Sequence, residues 1–144
     1  MKALYFALLL AACSPPPDYV SSYGTEYYFQ PGVHWDGWQI EAQESAFIGQ
    51  LSAITKYNQA LKALPWVHVL VYPDTMHCSW VEGGSCEGFQ DGVALYVHGK
   101  CPFESALTHE EMHWIQQYTD GGYDPSHLEP KVWAIADQPA GRCK

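Results

Sequence analysis

Basic residues are scarce in this chain: 7 Lys and Arg stand against 16 Asp and Glu, which gives a formal net charge of −9. Neutralising phosphates requires a basic surface, so nucleic acid is excluded as a partner. The 144 residues fit one compact domain and leave no room for a second. Disorder is also excluded, because 47% of the residues are hydrophobic.

No apolar run reaches the roughly 20 residues that a membrane span needs. The longest one lies in residues 1–12, MKALYFALLLAA, where a single Lys precedes the apolar stretch, and it predicts a signal peptide. The string LAAC that ends at Cys13 resembles the lipobox of bacterial lipoproteins. That resemblance implies cleavage before Cys13, lipidation of Cys13, and a tether and N-terminal segment over 13–30; Ser14 implies the outer membrane. The alternative is an ordinary secretory signal with a chance cysteine.

The chain also lacks a C-x-x-C pair, which makes a zinc–thiolate cluster the weaker interpretation of its cysteines. Besides Cys13 there are four, an even number in an exported protein, and they predict two disulfides. Four cysteines allow three pairings. From proximity in sequence we favour Cys78–Cys86, which closes a Gly-rich loop, and Cys101–Cys143, which ties the tail to the segment before a predicted helix.

Apolar periodicity and turn residues predict the layout of the rest of the chain. An amphipathic helix is expected over 40–64 and an interior strand over 66–72, in which His68 would be a hydrogen-bonded core residue. A polar excursion over 73–92 separates this strand from a second strand over 93–97. A further helix is expected over 103–119, closed by the Gly pair at 121–122.

The last predicted helix carries the chemistry. Residues 109–113 read HEEMH, the H-E-x-x-H pattern. Positions four apart share one helix face, so His109 and His113 can bind one zinc ion, while Glu110 reaches an attacking water as general base. Glu111 is expected to be a solvated surface charge. The chain's His and Glu content predicts roughly 0.02 chance occurrences, and the competing interpretation is a surface helix with two solvated histidines.

These residues resemble the zincin metallopeptidases over about residues 40–133. The resemblance implies an α+β fold over 31–144, with a backing helix, a small mixed sheet, disulfide-stapled loops, and the HExxH helix as floor of the cleft. It also implies that the strand over 93–97 is the edge strand, which pairs with an extended peptide. More narrowly, the run HEEMHWIQQYTDGGYDPSHLEPKVW is similar to small bacterial lipoproteins in which a D-x-x-H segment and a Trp follow HExxH.

A catalytic zinc site takes three protein ligands and leaves one position for water. The metzincin pattern is excluded because position 119 holds Thr and not His or Asp. His127 is the favoured third ligand by chemistry and reach, with Glu129 and Asp124 as alternatives. Other residues are expected in supporting roles: Asp120, Asp124 or Asp137 orienting a ligand histidine, Tyr118 and Tyr123 in packing or as oxyanion donors, and Trp114 in the core.

The sequence therefore predicts an exported, lipid-anchored zinc endopeptidase that uses one Zn²⁺ and acts on a peptide or protein. A hypothesis from a different class is a non-catalytic binding lipoprotein, since 6 Trp and 10 Tyr suit stacking on sugars or peptidoglycan. Its metal site would be structural, closed by a fourth protein ligand. Glu110 opposes that hypothesis, because a structural zinc helix does not require it.

Overall fold

A computed structural model describes residues 15–80, 82–120 and 127–144. The fold is α+β, with helices packed against a small mixed sheet. The helices are α1 (Gly37–Leu51), α2 (Leu107–Asp120) and α3 (Pro130–Ala136), and short 3-10 segments cover Thr55–Tyr57, Ala60–Trp66 and Pro102–Glu104. The strands are β1 (Tyr19–Val20), β2 (Glu26–Phe29), β3 (His68–Tyr72), β4 (Met76–His77), β5 (Ser85–Cys86), β6 (Gly88–Gln90) and β7 (Leu95–His98).

The main sheet has the order β1-β2-β3-β7-β6. Its three central strands are parallel to one another, and β1 and β6 run antiparallel at the two edges. The expectation of an edge strand over 93–97 was therefore wrong: β7 lies between β3 and β6, and Gly88–Gln90 forms the edge. The edge strand has only three residues and begins with Gly, so it carries too little apolar pattern to be recognised without its partner.

The first helix is shorter than its apolar stripe predicts. Ile40, Phe47 and Leu51 are buried on one face of α1, as expected, but the helix ends at Leu51 and not near residue 64. Ile54 adopts an extended conformation with φ −96° and ψ 107°, and the apolar residues beyond it belong to 3-10 segments. Ser, Thr and Asn fall between residues 52 and 58, and they compete poorly for helix.

Strand β3 occupies the interior position that was expected, between β2 and β7. It begins at His68, and Trp66 lies outside it with 71% of its surface exposed. Only one face is fully buried, by Val69 and Val71. His68 is not the core residue that was expected, because its ring is half exposed and its Nδ1 lies 2.9 Å from a Glu26 oxygen across the β2–β3 ladder.

The hydrophobic core lies between the helices and one face of the sheet. From the sheet it takes Tyr27, Val69, Val71, Leu95 and Val97, and from the helices it takes Ile40, Phe47, Leu51, Leu107, Met112, Ile115, Val132 and Trp133, together with Trp114 as expected. The opposite face of the sheet carries half-buried residues in one cross-strand row, Tyr28, Leu70, Tyr96 and Phe89. This second face has no helix on it within the described residues.

Two disulfides are present, with the pairing that was expected: Cys78–Cys86 and Cys101–Cys143. The first staples the β4–β5 hairpin and the second holds the C-terminal tail to the segment before α2. Disulfides of this kind indicate a non-reducing compartment. Residues 19–29, assigned from sequence to the N-terminal segment, supply two strands of the sheet. The leader and Cys13 lie outside the described residues, and no described helix has the length and apolarity to cross a bilayer.

Candidate metal centre

Helix α2 presents two histidines on one face. His109 and His113 are one turn apart, and their ring centroids are separated by 5.0 Å. The helix is fixed in this orientation because Leu107, Met112 and Ile115 are fully buried on its core side. His113 is itself buried, with 4% of its surface exposed, and His109 is partly exposed. The two imidazoles therefore lie at the boundary between core and solvent.

His127 completes a cluster of three, as expected. Its Nε2 lies 3.5 Å from the His113 Nε2, and one ligand nitrogen from each of the three histidines lies within 4.8 Å of the other two. Two nitrogens bound at about 2.05 Å to one tetrahedral ion are about 3.3 Å apart, so this donor set fits a metal ion. His127 has a positive φ of 48°, the only described non-glycine residue that does. A strained backbone at a cluster of ligands is a common sign of a functional position.

The two alternative third ligands have different positions. Glu129 points to Lys56, whose Nζ is 2.5 Å from Glu129 Oε1, and to the Tyr57 hydroxyl, which donates to the same oxygen at 3.2 Å. It is not part of the histidine cluster. Asp124 lies outside the described residues, as does Tyr123, and the Asp120 side chain is likewise not described. Tyr118 is largely exposed and packs against Trp114 at 6.0 Å.

Asp137 is the carboxylate that meets a ligand histidine. Its Oδ1 lies 2.7 Å from His109 Nδ1. With Nδ1 donating to this carboxylate, His109 keeps its Nε2 lone pair for a metal, and the ring orientation is fixed. Of the three aspartates considered from sequence for this role, Asp137 is the one the structure places against a ligand histidine. It follows α3 directly, which explains how a residue 28 positions away reaches α2.

Trp133 is a site residue that the sequence did not identify. Its ring centroid lies 4.0 Å from His127, 4.6 Å from His113 and 4.9 Å from His109, so one indole contacts all three imidazoles. Only 4% of its surface is exposed. The indole restricts the three rings to their present orientations and supplies an apolar wall. A Trp close after the third histidine was the only signal available in the sequence.

Glu110 lies beside the cluster and lines a pocket of about 330 Å³ with His109 and Asp137. Burial raises the pKa of its carboxyl to about 7. The edge strand passes directly over it: a Cβ added to Gly88 would lie 2.9 Å from Glu110 Cγ and 2.8 Å from Ala106 Cβ. Glycine is therefore required in this strand for a close approach to α2, which the sequence did not reveal.

No family model, curated protein or solved structure matches this chain. The described residues support a possible metal site, which is less specific than the zinc endopeptidase that the sequence predicts. Three histidines can hold a metal ion, and among the described residues no Cys, Asp or Glu joins them as a further ligand within 4.8 Å of all three nitrogens.

Glu111 is not the solvated charge that was expected. It is fully buried next to Glu44, which is also fully buried and accepts a 2.6 Å hydrogen bond from the Tyr27 hydroxyl. Burial raises the pKa of both carboxyls, and the proximity of Glu44 raises the pKa of Glu111 further. On a helix, one residue of separation rotates the side chain by about 100°, so Glu111 points into the core while Glu110 faces the pocket.

A buried glutamine holds the parts of the site together. Gln43 on α1 donates from Nε2 to Thr108 Oγ1 and to the Gln138 carbonyl, each at 3.1 Å, and its Oε1 accepts from the Ala140 amide at 2.8 Å. Thr108 in turn donates to the Ala136 carbonyl at 2.5 Å. This network fixes the start of α2 against the end of α3. It thereby brings His109, which follows Thr108, next to Asp137, which precedes Gln138, and these two residues form the hydrogen-bonded pair described above.

Proposed function

We propose that this chain is a zinc-dependent endopeptidase, exported and lipid-anchored at Cys13. The observation that carries the proposal is the combination of three histidines with Glu110, which lies in a pocket directly beneath the edge of a sheet. His109, His113 and His127 would hold the ion. Three imidazole nitrogens with no further described donor are typical of a catalytic zinc site and not of a closed structural one.

Zinc, when bound, supplies Lewis acidity that makes water more acidic and a substrate carbonyl more electrophilic. The chain supplies the rest. Glu110 takes a proton from the attacking water and returns it to the leaving amine, a role that its carboxyl can perform from within the pocket. Asp137 holds His109 in one orientation, and Trp133 packs against all three rings.

The edge strand provides a binding site for an extended peptide. In the antiparallel β6–β7 ladder the His98 amide donates to the Glu87 carbonyl and the Asp91 amide donates to the Ala94 carbonyl. Because hydrogen-bonded and non-bonded residues alternate, the backbone groups of Gly88 and Gln90 point away from β7, toward the open edge. A substrate strand would pair with these two residues, within reach of Glu110.

The decisive variant is Glu110→Gln, which keeps the shape of the side chain and removes its basicity. We expect kcat on a denatured protein to fall by roughly 10²- to 10⁴-fold with the zinc content unchanged. Glu82→Gln changes an exposed glutamate in the β4–β5 hairpin and serves as the matched control, with activity unchanged. Full activity in the Glu110 variant would end the proposal.

Metal analysis tests the ligand set independently of activity. The oxidised protein should contain close to one zinc per chain. His127→Ala should remove most of it, whereas His34→Ala, which changes an exposed histidine outside the cluster, should not. No zinc in the intact protein would instead favour the binding-lipoprotein hypothesis.

The lipid anchor requires its own test because Cys13 lies outside the described residues. Replacing Cys13 with Ser should move the protein from the membrane fraction to the soluble fraction of its bacterial host and abolish labelling with a radioactive fatty acid. Continued labelling of the variant would contradict the anchor without affecting the zinc site.

A further inference from the structure

Four aromatic side chains form a continuous surface on the face of the sheet that carries no described helix. This aromatic shelf consists of Tyr72, Tyr96, Phe89 and Trp80. The Phe89 and Tyr96 rings stack at 4.5 Å with an angle of 7° between planes, Trp80 meets Phe89 edge-on at 5.4 Å, and Tyr72 lies 6.4 Å from Tyr96. A pocket of about 450 Å³ opens beside Tyr72, Phe89 and Tyr96.

The shelf and the candidate peptide-binding edge share strand β6, which contributes Phe89 to the shelf. In β6, a Cβ at position 88 would point toward Glu110, on the side of the sheet where the helices lie. Successive residues of a strand point to opposite faces, so Phe89 points to the other side, where it contacts Tyr96 and Trp80. One short strand thus borders the metal centre on one face and the aromatic shelf on the other.

The pairing of a peptide with this edge determines which of its side chains reaches the shelf. A strand that bonds to the outward backbone groups of Gly88 and Gln90 places one residue directly opposite Phe89, on the same face of the sheet. Side chains opposite each other in an antiparallel pair are about 5 Å apart at Cβ, within contact distance of an aromatic ring. The two neighbours of that residue point the opposite way, toward the Glu110 pocket.

Trp80 extends the shelf beyond the Phe89 ring. It lies in the loop closed by Cys78–Cys86, and 67% of its surface is exposed although its ring contacts Phe89. An exposed indole held by a disulfide loop beside an open strand edge offers apolar area at low entropic cost.

We infer that the aromatic shelf selects substrates, by binding one large apolar or aromatic side chain of the extended peptide at the position opposite Phe89. This inference rests on the proposed peptidase function. It adds a preference for a large apolar side chain at a fixed distance from the cleaved bond, which the protein would bind on the face of the sheet opposite the metal site. Covering a side chain of that size changes kcat/KM by roughly tenfold to hundredfold relative to Ala.

The test uses the zinc-loaded protein and a random-sequence library of 14-residue peptides, with cleavage sites read by mass spectrometry. We expect the cleaved bonds to share Phe, Tyr, Trp, Leu or Met at one fixed position. Trp80→Ala should remove this preference and lower kcat/KM at least tenfold for a Phe-containing peptide, with its Ala counterpart unchanged. Trp66→Ala, which removes an exposed Trp before β3, should change neither.

A binding measurement separates failure of the inference from failure of the peptidase function. The Glu110→Gln protein is titrated with two 14-residue peptides that differ only by Phe or Ala at one central position, so the comparison does not depend on a known cleavage site. At least tenfold tighter binding of the Phe peptide, lost in the Trp80→Ala background, supports the shelf even if the wild type cleaves nothing. Equal binding of the two peptides, cleavage without a fixed preference, or a Trp80-dependent retention on insoluble peptidoglycan in place of the peptide effect would overturn it.

Discussion

Replacing Gly88 with Ala tests the contact between the edge strand and helix α2. The new Cβ would lie 2.8 Å from Ala106 Cβ and 2.9 Å from Glu110 Cγ, closer than carbon atoms pack. Ala106 is fixed to the backbone just before α2, so the strand must move. Overpacking of this kind costs about 1–3 kcal/mol, and the lower entropy of the unfolded Ala chain offsets roughly 0.5–1 kcal/mol. The free energy of unfolding should therefore fall, by up to about 2.5 kcal/mol.

Urea unfolding of the oxidised protein measures this change. With a slope of about 2 kcal/mol/M, the urea midpoint should fall by up to roughly 1.3 M. Gly49→Ala is the matched control, because Gly49 lies in α1 and a Cβ there meets nothing within 4 Å; it should stabilise the protein by about 0.5–1 kcal/mol. If the proposed peptidase function holds, the activity of the folded Gly88 variant should fall at least tenfold. If both variants are stabilised alike, the strand does not approach the helix as described.

Three further changes have defined outcomes. Asp137→Asn should weaken zinc binding by roughly 10- to 100-fold in a competition with a chromophoric chelator, because the hydrogen bond that orients its partner histidine weakens; unchanged affinity would contradict this role. Burial raises the pKa of the Glu44 and Glu111 carboxyls in the fold, so the protonated carboxyls stabilise the folded state fully below pH 4.5, and this contribution is lost as the pH rises through the raised pKa. In urea titrations, Glu44→Gln should therefore become more stable relative to the wild type as the pH increases. A stability difference that does not depend on pH would refute this. Replacing Cys101 and Cys143 with Ser opens a loop with a sequence separation of 42, and should lower the free energy of unfolding by roughly 4 kcal/mol, against about 2.5 kcal/mol for the other disulfide at a separation of 8; equal losses would argue against chain entropy as the cause.

The parts of the site that the sequence predicted are those with local signals. Helical spacing alone placed His109 and His113 on one face, and ligand chemistry with a short connection selected His127. The disulfide pairing followed from proximity along the chain. The layout of helices and strands followed from apolar periodicity and turn residues, whereas the α+β class was implied by the resemblance to the zincins.

The features that were missed depend on contacts between distant residues. Strands of two to four residues such as β1, β2 and β6 carry little pattern of their own. They form because β2 pairs with β3, β1 pairs with β2, and β6 pairs with β7. Glu111 and Glu110 are adjacent residues of the same type, so no local signal in the sequence distinguishes the carboxyl that is buried beside Glu44 from the one that faces the pocket. The role of Trp133 required the position of α3, which no local pattern gives.

The candidate metal centre combines two histidines of α2 with residues of the following segment 127–137, so it can form only after both parts of the chain have been synthesised. His109 and His113 precede the third histidine, the Trp133 indole and the Asp137 carboxylate along the chain, so the ribosome adds these three residues after the two helix histidines. The tail that follows is clasped by Gln43 and by a disulfide that needs an oxidant to form. The candidate metal centre is therefore expected to be completed after synthesis of these segments, in the oxidising compartment where the Cys101–Cys143 disulfide forms.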